Sequence, residues 1–211
     1  MALFQKNPFS DSDKQALYRL GQQRTVLIVG LGNVGKKFDG TRHNIGFACV
    51  DAFAEKYQFD PWTDKKDLKS HLAMKTLGDT RVILCKPTTM MNLSGEAIQK
   101  VASFYKIANS HIVTVHDELD IPFGQIRTRM GGSDAGHNGI KSVVQHLGEE
   151  FGRVRIGIQA ETPMDATDFV LAAFSPEEQG LLKPLTHEVI SLLTEYIYRG
   201  DLIPETRSFL I

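Results

Sequence analysis

The sequence predicts an α/β fold: a single domain with a mixed, mostly parallel central sheet and helices on both faces. Continuous apolar, β-branched runs at Thr25–Val29 and His111–His116 have the pattern of strands buried on both faces. Segments of helical spacing alternate with them, the βα interleaving that covers a sheet on each side. The length, 211 residues, fits one ordinary domain, and no linker-like stretch divides it. Residues 1–23 read as an N-terminal extension rich in Gln, Ser and Asp, with a short helical possibility at Lys14–Leu20, and the domain spans 24–211.

The elements follow in order. Thr25–Val29 is a strand ending at Gly30, and a polar loop runs from Leu31 to His43. Ile45–Tyr57 reads as a helix with Phe47, Val50, Phe53, Ala54 and Tyr57 as its apolar residues. His71–Leu77 and Arg81–Lys86 flank the turn pair Gly78-Asp79 as a hairpin, and Pro87 ends the second strand. Ser94 is suited to cap a helix running to about Ile107, with Glu96 in the first turn complementing the helix dipole. His111–His116 is the next buried-type strand, and Gln125–Met130 alternates apolar and basic residues as a half-exposed one. The glycine-rich loop Gly131–Gly136 leads to a helix at Gly139–Leu147, and Arg153–Ile158 is a further strand. Pro176–Tyr198 is helical, with a kink or break expected at Pro184.

Twenty-four basic residues against 25 acidic ones leave a net charge of −1, so any nucleic-acid face must come from local clustering. Cys49 and Cys85 sit in apolar stretches, as buried thiols in a reducing compartment do. No apolar run approaches the roughly 20 residues that cross a bilayer, and no secretory h-region is visible. A cytoplasmic location without a membrane partner is therefore expected.

In open α/β sheets ligands bind beyond the carboxyl ends of the strands. Those ends carry Asn33, then Thr88–Asn92, then His116-Asp117-Glu118, then His137 and Asn138, with His43 just past the first loop. Gly30-Leu31-Gly32-Asn33-Val34-Gly35 matches the dinucleotide fingerprint, but no helix opens after it, and Asp51, near the expected acidic position, falls in a helix. His43 lies in the polar run Thr41-Arg42-His43-Asn44 at a loop-to-helix junction, which argues against a core role. As a general base it needs a partner that fixes its tautomer, and Asp117 is a candidate. No G-x-S-x-G, H-E-x-x-H or paired-cysteine spacing occurs, and His111 and His116 on one strand project to opposite faces. Base-activated water is then the expected nucleophile. Asn33, Asn92 and Asn138 serve either as turn residues or as amides binding a peptide backbone. Arg127 and Arg129 share one strand face, Arg153 and Arg155 another, and Lys141 follows. They read either as solvated faces or as a phosphate-binding stripe.

Six ordered blocks, Gly30–Asn33, Thr41–Gly46, Pro87–Gly95, His116–Asp120, Gly136–Gly139 and Arg155–Gly157, resemble the bacterial-type peptidyl-tRNA hydrolases over nearly the whole domain. The resemblance implies a monomer that acts on peptidyl-tRNA, and no metal or other cofactor is expected, since no metal-ligand spacing occurs. It implies His43 as catalytic base, Asp117 as its supporting carboxylate, and Asn33 as the residue distinguishing blocked from free aminoacyl groups. Asn92 and Asn138 would bind peptide and 3′ end, with Phe38 and Met90 lining the pocket. Arg129 and Arg155 would clamp the 5′-phosphate, flanked by Arg127 and Lys141. Val34, Phe38, Met90 and Ala135 depart from the common Pro, Tyr, Phe and Gly. Related plastid proteins of this fold that serve intron splicing make an RNA-binding protein the alternative reading, which the intact His43, Asp117 and asparagines disfavour.

Overall fold

The computed structural model describes residues 23–159 and 165–209. The expected extension, apart from Gln23, and its short helix lie outside the described residues. One eight-stranded sheet forms the frame, in the order β2-β3-β4-β1-β5-β7-β6-β8. The strands are β1 (Arg24–Gly30), β2 (Thr63–Lys65), β3 (Ser70–Leu77), β4 (Thr80–Pro87), β5 (Ile112–Pro122), β6 (Gln125–Met130), β7 (Gly152–Gln159) and β8 (Glu205–Ser208). The helices are α1 (Ile45–Lys56), α2 (Ser94–Tyr105), α3 (Asn138–Leu147), α4 (Ala166–Leu171) and α5 (Pro176–Arg199).

The sheet is mixed, as expected, but parallel pairing is confined to its centre. β4, β1, β5 and β7 pair in parallel, and the four outer pairings are antiparallel. The turn at Gly78-Asp79 is too short for a crossover, so β3 must return antiparallel to β4. Alternation along β1 feeds two cores. Val26 and Ile28 pack with Phe53 of α1 and Leu185, Val189 and Leu193 of α5. Leu27 and Val29 pack with Ile98 and Val101 of α2 and Ile140 and Val143 of α3. Burying a side chain such as Phe53 contributes about 1.5–3 kcal/mol.

Four local expectations are corrected. β5 continues to Pro122, so Asp117 and Glu118 lie within a strand. His111 belongs to a 3-10 turn ahead of β5 and shares no strand with His116. Ser94 is the first residue of α2 rather than its cap, and its buried hydroxyl has no partner among the described residues. Pro184 leaves α5 one element. It and Gly180 are exposed, so the carbonyl deprived of its donor meets water.

Close backbone approach fixes the position of α1. A Cβ on Gly46 would lie 2.3 Å from the Val115 carbonyl oxygen and 2.5 Å from that of Leu31. One on Gly30 would lie 2.3 Å from the Gly46 oxygen. Glycine at both places lets the start of α1 abut the ends of β1 and β5. The turn just before α1 is thereby brought beside Asp117.

Candidate active site

That turn, Arg42–Asn44, carries His43. Thr41, Arg42, His43 and Asn44 are all buried, against the expectation drawn from their polarity. Their burial is tolerated because the polar atoms are partnered. Thr41 Oγ1 donates to the Phe38 carbonyl at 2.8 Å. Asn44 Oδ1 accepts from the Asn33 amide at 2.8 Å, and Asn44 Nδ2 donates to the Asn33 carbonyl at 2.9 Å.

His43 Nδ1 lies 3.0 Å from each carboxylate oxygen of Asp117. A second imidazole shares that carboxylate, with His137 Nε2 3.1 Å from Oδ1. His137 caps α3 through Nδ1, which accepts from the amides of Gly139 and Ile140 at 3.1 and 3.2 Å. An Nδ1 that accepts two amides is unprotonated, so the proton of His137 sits on Nε2 and points at Asp117. Asp117 therefore accepts from both rings. Burial disfavours its charge, but His137 and His43 outweigh burial and hold the carboxyl well below the usual carboxylate range. His43 then donates from Nδ1 and keeps a lone pair on Nε2.

His43, Asp117 and His137 place one donor atom each within 4.8 Å of one another, close enough to suit a small cation. A neutral imidazole binding a metal through Nε2 carries its proton on Nδ1, and in His137 that atom already accepts two amides. The donor set fits a hydrogen-bonded chain better than a metal centre. His116 packs its ring 5.0 Å from that of His137. Burial pushes its pKa well down, so it is neutral.

The chain of imidazoles and carboxylate borders a cleft of about 380 Å³. Asn33, Met90, Asn92, Glu118 and Asn138 line it near His43, and Ala166, Thr167, Val170 and Leu171 of the α4 segment form another part of its wall. Asn33 Oδ1 accepts from the Met91 amide at 2.7 Å, which leaves Nδ2 without a partner among the described residues. Asn92 and Asn138 are exposed. Burial raises the pKa of Glu118.

The sheet also brings four arginines onto one face, with Arg127 opposite Arg155 and Arg129 opposite Arg153. They are not equivalent. Arg153 is buried and donates to the carbonyls of Ser133 and Gly132. Burial, with Arg129 and Arg155 nearby, pushes its pKa down to about 10. Arg129 Nε donates to the Gly131 carbonyl at 2.7 Å, and Arg127 donates to Gln125 Oε1 at 3.1 Å. The Arg155 Nε is buried without a partner among the described residues, and burial and Arg129 lower its pKa. Lys141 is exposed on α3.

The sequence model of the peptidyl-tRNA hydrolase family matches residues 27–208. The chain belongs to that family. It is 42% identical over 189 residues to a peptidyl-tRNA hydrolase of Gloeobacter violaceus, covering 87% of this chain and 95% of that one. It is 42% identical over 158 residues to a peptidyl-tRNA hydrolase of Clostridium botulinum strain Hall, covering 74% and 82%. The crystal structure of peptidyl-tRNA hydrolase from Acinetobacter baumannii superposes with a TM-score of 0.78 at 34% identity, covering 84% of this chain and 90% of that one.

Of the residues singled out from the sequence, His43, Asp117, Asn33, Met90, Asn92 and Asn138 border one cleft. Phe38 is not among the residues lining it. Phe38 is buried in its own 3-10 turn, with the Lys37 ammonium 4.8 Å from its ring. Sequence reasoning missed His137 as the second partner of Asp117 and Arg153 as a loop clamp. Histidine is not among the usual N-caps, so Gly136-His137-Asn138 gave no capping signal. Ala135 adopts φ 48°. That is the left-handed region glycine occupies more readily.

Proposed function

We propose that this chain hydrolyses the ester joining a peptide, or an N-blocked amino acid, to the 3′ end of tRNA, freeing the tRNA for reuse. The observation that carries the reading is the His43–Asp117 contact at a cleft, with His43 Nε2 left as a proton acceptor. Nε2 takes a proton from water as the water oxygen attacks the ester carbonyl. The resulting imidazolium, stabilised by the Asp117 carboxylate, returns that proton to the departing ribose oxygen. The Asn33 Nδ2 group donates to a substrate oxygen, and Asn92 and Asn138 hold the peptide and the 3′ end beside Met90. Arg127, Arg129, Arg155 and Lys141 meet tRNA phosphates.

One chain supplies every group in this scheme, which supports a monomer as the active form. Among the described residues no helix is long and apolar enough to cross a membrane. The test is turnover of N-acetyl-aminoacyl-tRNA by the purified protein. Release of free tRNA and N-acetyl-amino acid is expected, and stoichiometric binding without release would favour an RNA-binding role instead. Activity is expected to survive exhaustive chelation with EDTA once tRNA folding is controlled. Loss restored by one divalent ion would overturn the metal-free scheme.

A further inference from the structure

Arg42, next to the proposed base, faces away from Asp117 and into the segment that follows β7. Its backbone amide donates to the Ala172 carbonyl at 3.0 Å, and Thr41 and Ala173 form an isolated antiparallel bridge. Its Nη1 donates to the Ala173 carbonyl at 2.7 Å, and its Nη2 meets Glu178 Oε2 at 2.5 Å. The guanidinium carbon lies 4.2 Å from the centre of the Phe169 ring and 5.2 Å from that of Phe174. Glu178 is itself fixed, because its Oε2 also accepts the Ser175 amide at 2.7 Å in the capping box of α5. One buried side chain thus grips α4, the strand-like link after it and the start of α5.

The gripped segment carries Ala166, Thr167, Val170 and Leu171 of the cleft wall. α4 has only six residues, too few to hold its own conformation. Its placement must come from its packing partners, and the Arg42 node joins it directly to the turn bearing His43. The chemistry needs arginine. A planar fork can bond a carbonyl and a carboxylate at once while stacking on a ring, whereas lysine supplies a single point charge.

We propose that Arg42 is a positioning residue that sets this wall against His43 through its bonds to Ala173 and Glu178 and its stacking on Phe169, and so governs how tightly substrate is held. The inference rests on the hydrolase reading above. Loss of the grip should weaken substrate binding while sparing chemistry, because His43 remains fixed by Asp117 and its turn by Asn33 and Asn44.

The test measures kcat and KM on N-acetyl-aminoacyl-tRNA, the Kd for the same tRNA, and Tm, for full-length Arg42→Gln, Arg42→Lys, Glu178→Gln and the Arg42→Gln/Glu178→Gln double variant. Arg42→Gln should raise KM and Kd roughly ten-fold, with kcat within about three-fold of wild type and the pH profile unmoved. Arg42→Lys should recover only part of the loss, and the double variant should be no worse than Arg42→Gln alone. Unchanged KM and Kd, fully additive effects, or a fall in kcat that merely tracks the folded fraction would overturn the proposal. If Arg42→Gln does not fold, Phe169→Leu and Glu178→Gln each remove one arm, and unchanged KM in both overturns it equally. Absence of wild-type turnover would sink the hydrolase reading instead, and the Kd series would still decide the role of Arg42.

Discussion

The rim around His43 and the arginine face of β6 and β7 are both rich in polar side chains, yet they are built in opposite ways. Next to His43 a core of polar groups is buried and committed internally: His43 and His137 to Asp117, Asn44 to Asn33, Asn33 to Met91. On the arginine face Arg127 and Arg129 make only short local bonds, to Gln125 and Gly131, and Lys141 stands exposed. A reacting bond demands geometry prepared in advance. A polyanion demands positive charge with donors still to give. Arg153 marks the border between the two, since it is buried and its guanidinium donates to the Gly132 and Ser133 carbonyls.

The contrast breaks most visibly at the committed end. His43→Ala should lower kcat by about 10²–10⁴ while tRNA binding persists, because only the base is removed. Near-wild-type turnover would end its assignment. Asp117→Asn should cost as much within about ten-fold, since an amide offers one acceptor and a donor to two imidazoles that both donate. Combined, the two substitutions should be far less than additive. The depressed Asp117 pKa adds an acid dependence. Its contribution to stability is present above the unfolded carboxyl value of about 4 and is lost as pH falls through the lower folded value. Acid unfolding of wild type and Asp117→Asn, followed by circular dichroism, should show the variant with the shallower pH dependence.

Asn33→Asp probes the same network more gently. The carboxylate can still accept from the Met91 amide, so the loop should survive, but the free Nδ2 donor becomes an anion. An anion favours the ammonium of a free aminoacyl group, and a donor favours a neutral carbonyl. The ratio of kcat/KM for N-acetyl-aminoacyl-tRNA to that for the free aminoacyl-tRNA should fall, by about ten-fold or more. An unchanged ratio in folded protein would leave Asn33 as a loop-shaping residue.

How much of this was legible depended on whether an interaction had a local signature. The strands of the centre were, because continuous β-branched runs mark strands covered on both faces, and the strand-end rule then collected Asn33, Asn92, Asp117 and Asn138. The antiparallel flanks beyond the hairpin were not, since β8 pairs with β6 across 77 or more residues of chain and is only four residues long. The burial of Arg42 and His43 was hidden for the same reason: their partners, Glu178 and Asp117, are 136 and 74 residues away. Phe38, which its motif placed in the pocket, is buried in its 3-10 turn and is not among the residues lining the cleft.

The arginine face offers the smallest and most selective effect. Arg155→Ala and Arg129→Ala should each raise KM for full-length peptidyl-tRNA, by about ten-fold for Arg155 and less for Arg129, whose Nε is already engaged by Gly131. A short acylated CCA fragment lacks the distant phosphates, so its kinetics should hardly change. Salt supplies a second axis. For every phosphate left without its arginine, the dependence of log KM on log salt should weaken by somewhat less than one, on the order of 0.7–0.9. Arg153→Ala is the internal control, since it frees the Gly132 and Ser133 carbonyls and leaves a shorter side chain under the loop. It should lower Tm and impair both substrates alike. If Arg155→Ala behaves as Arg153→Ala does, with equal damage to fragment and full-length tRNA, the face is a structural clamp and the phosphate reading falls.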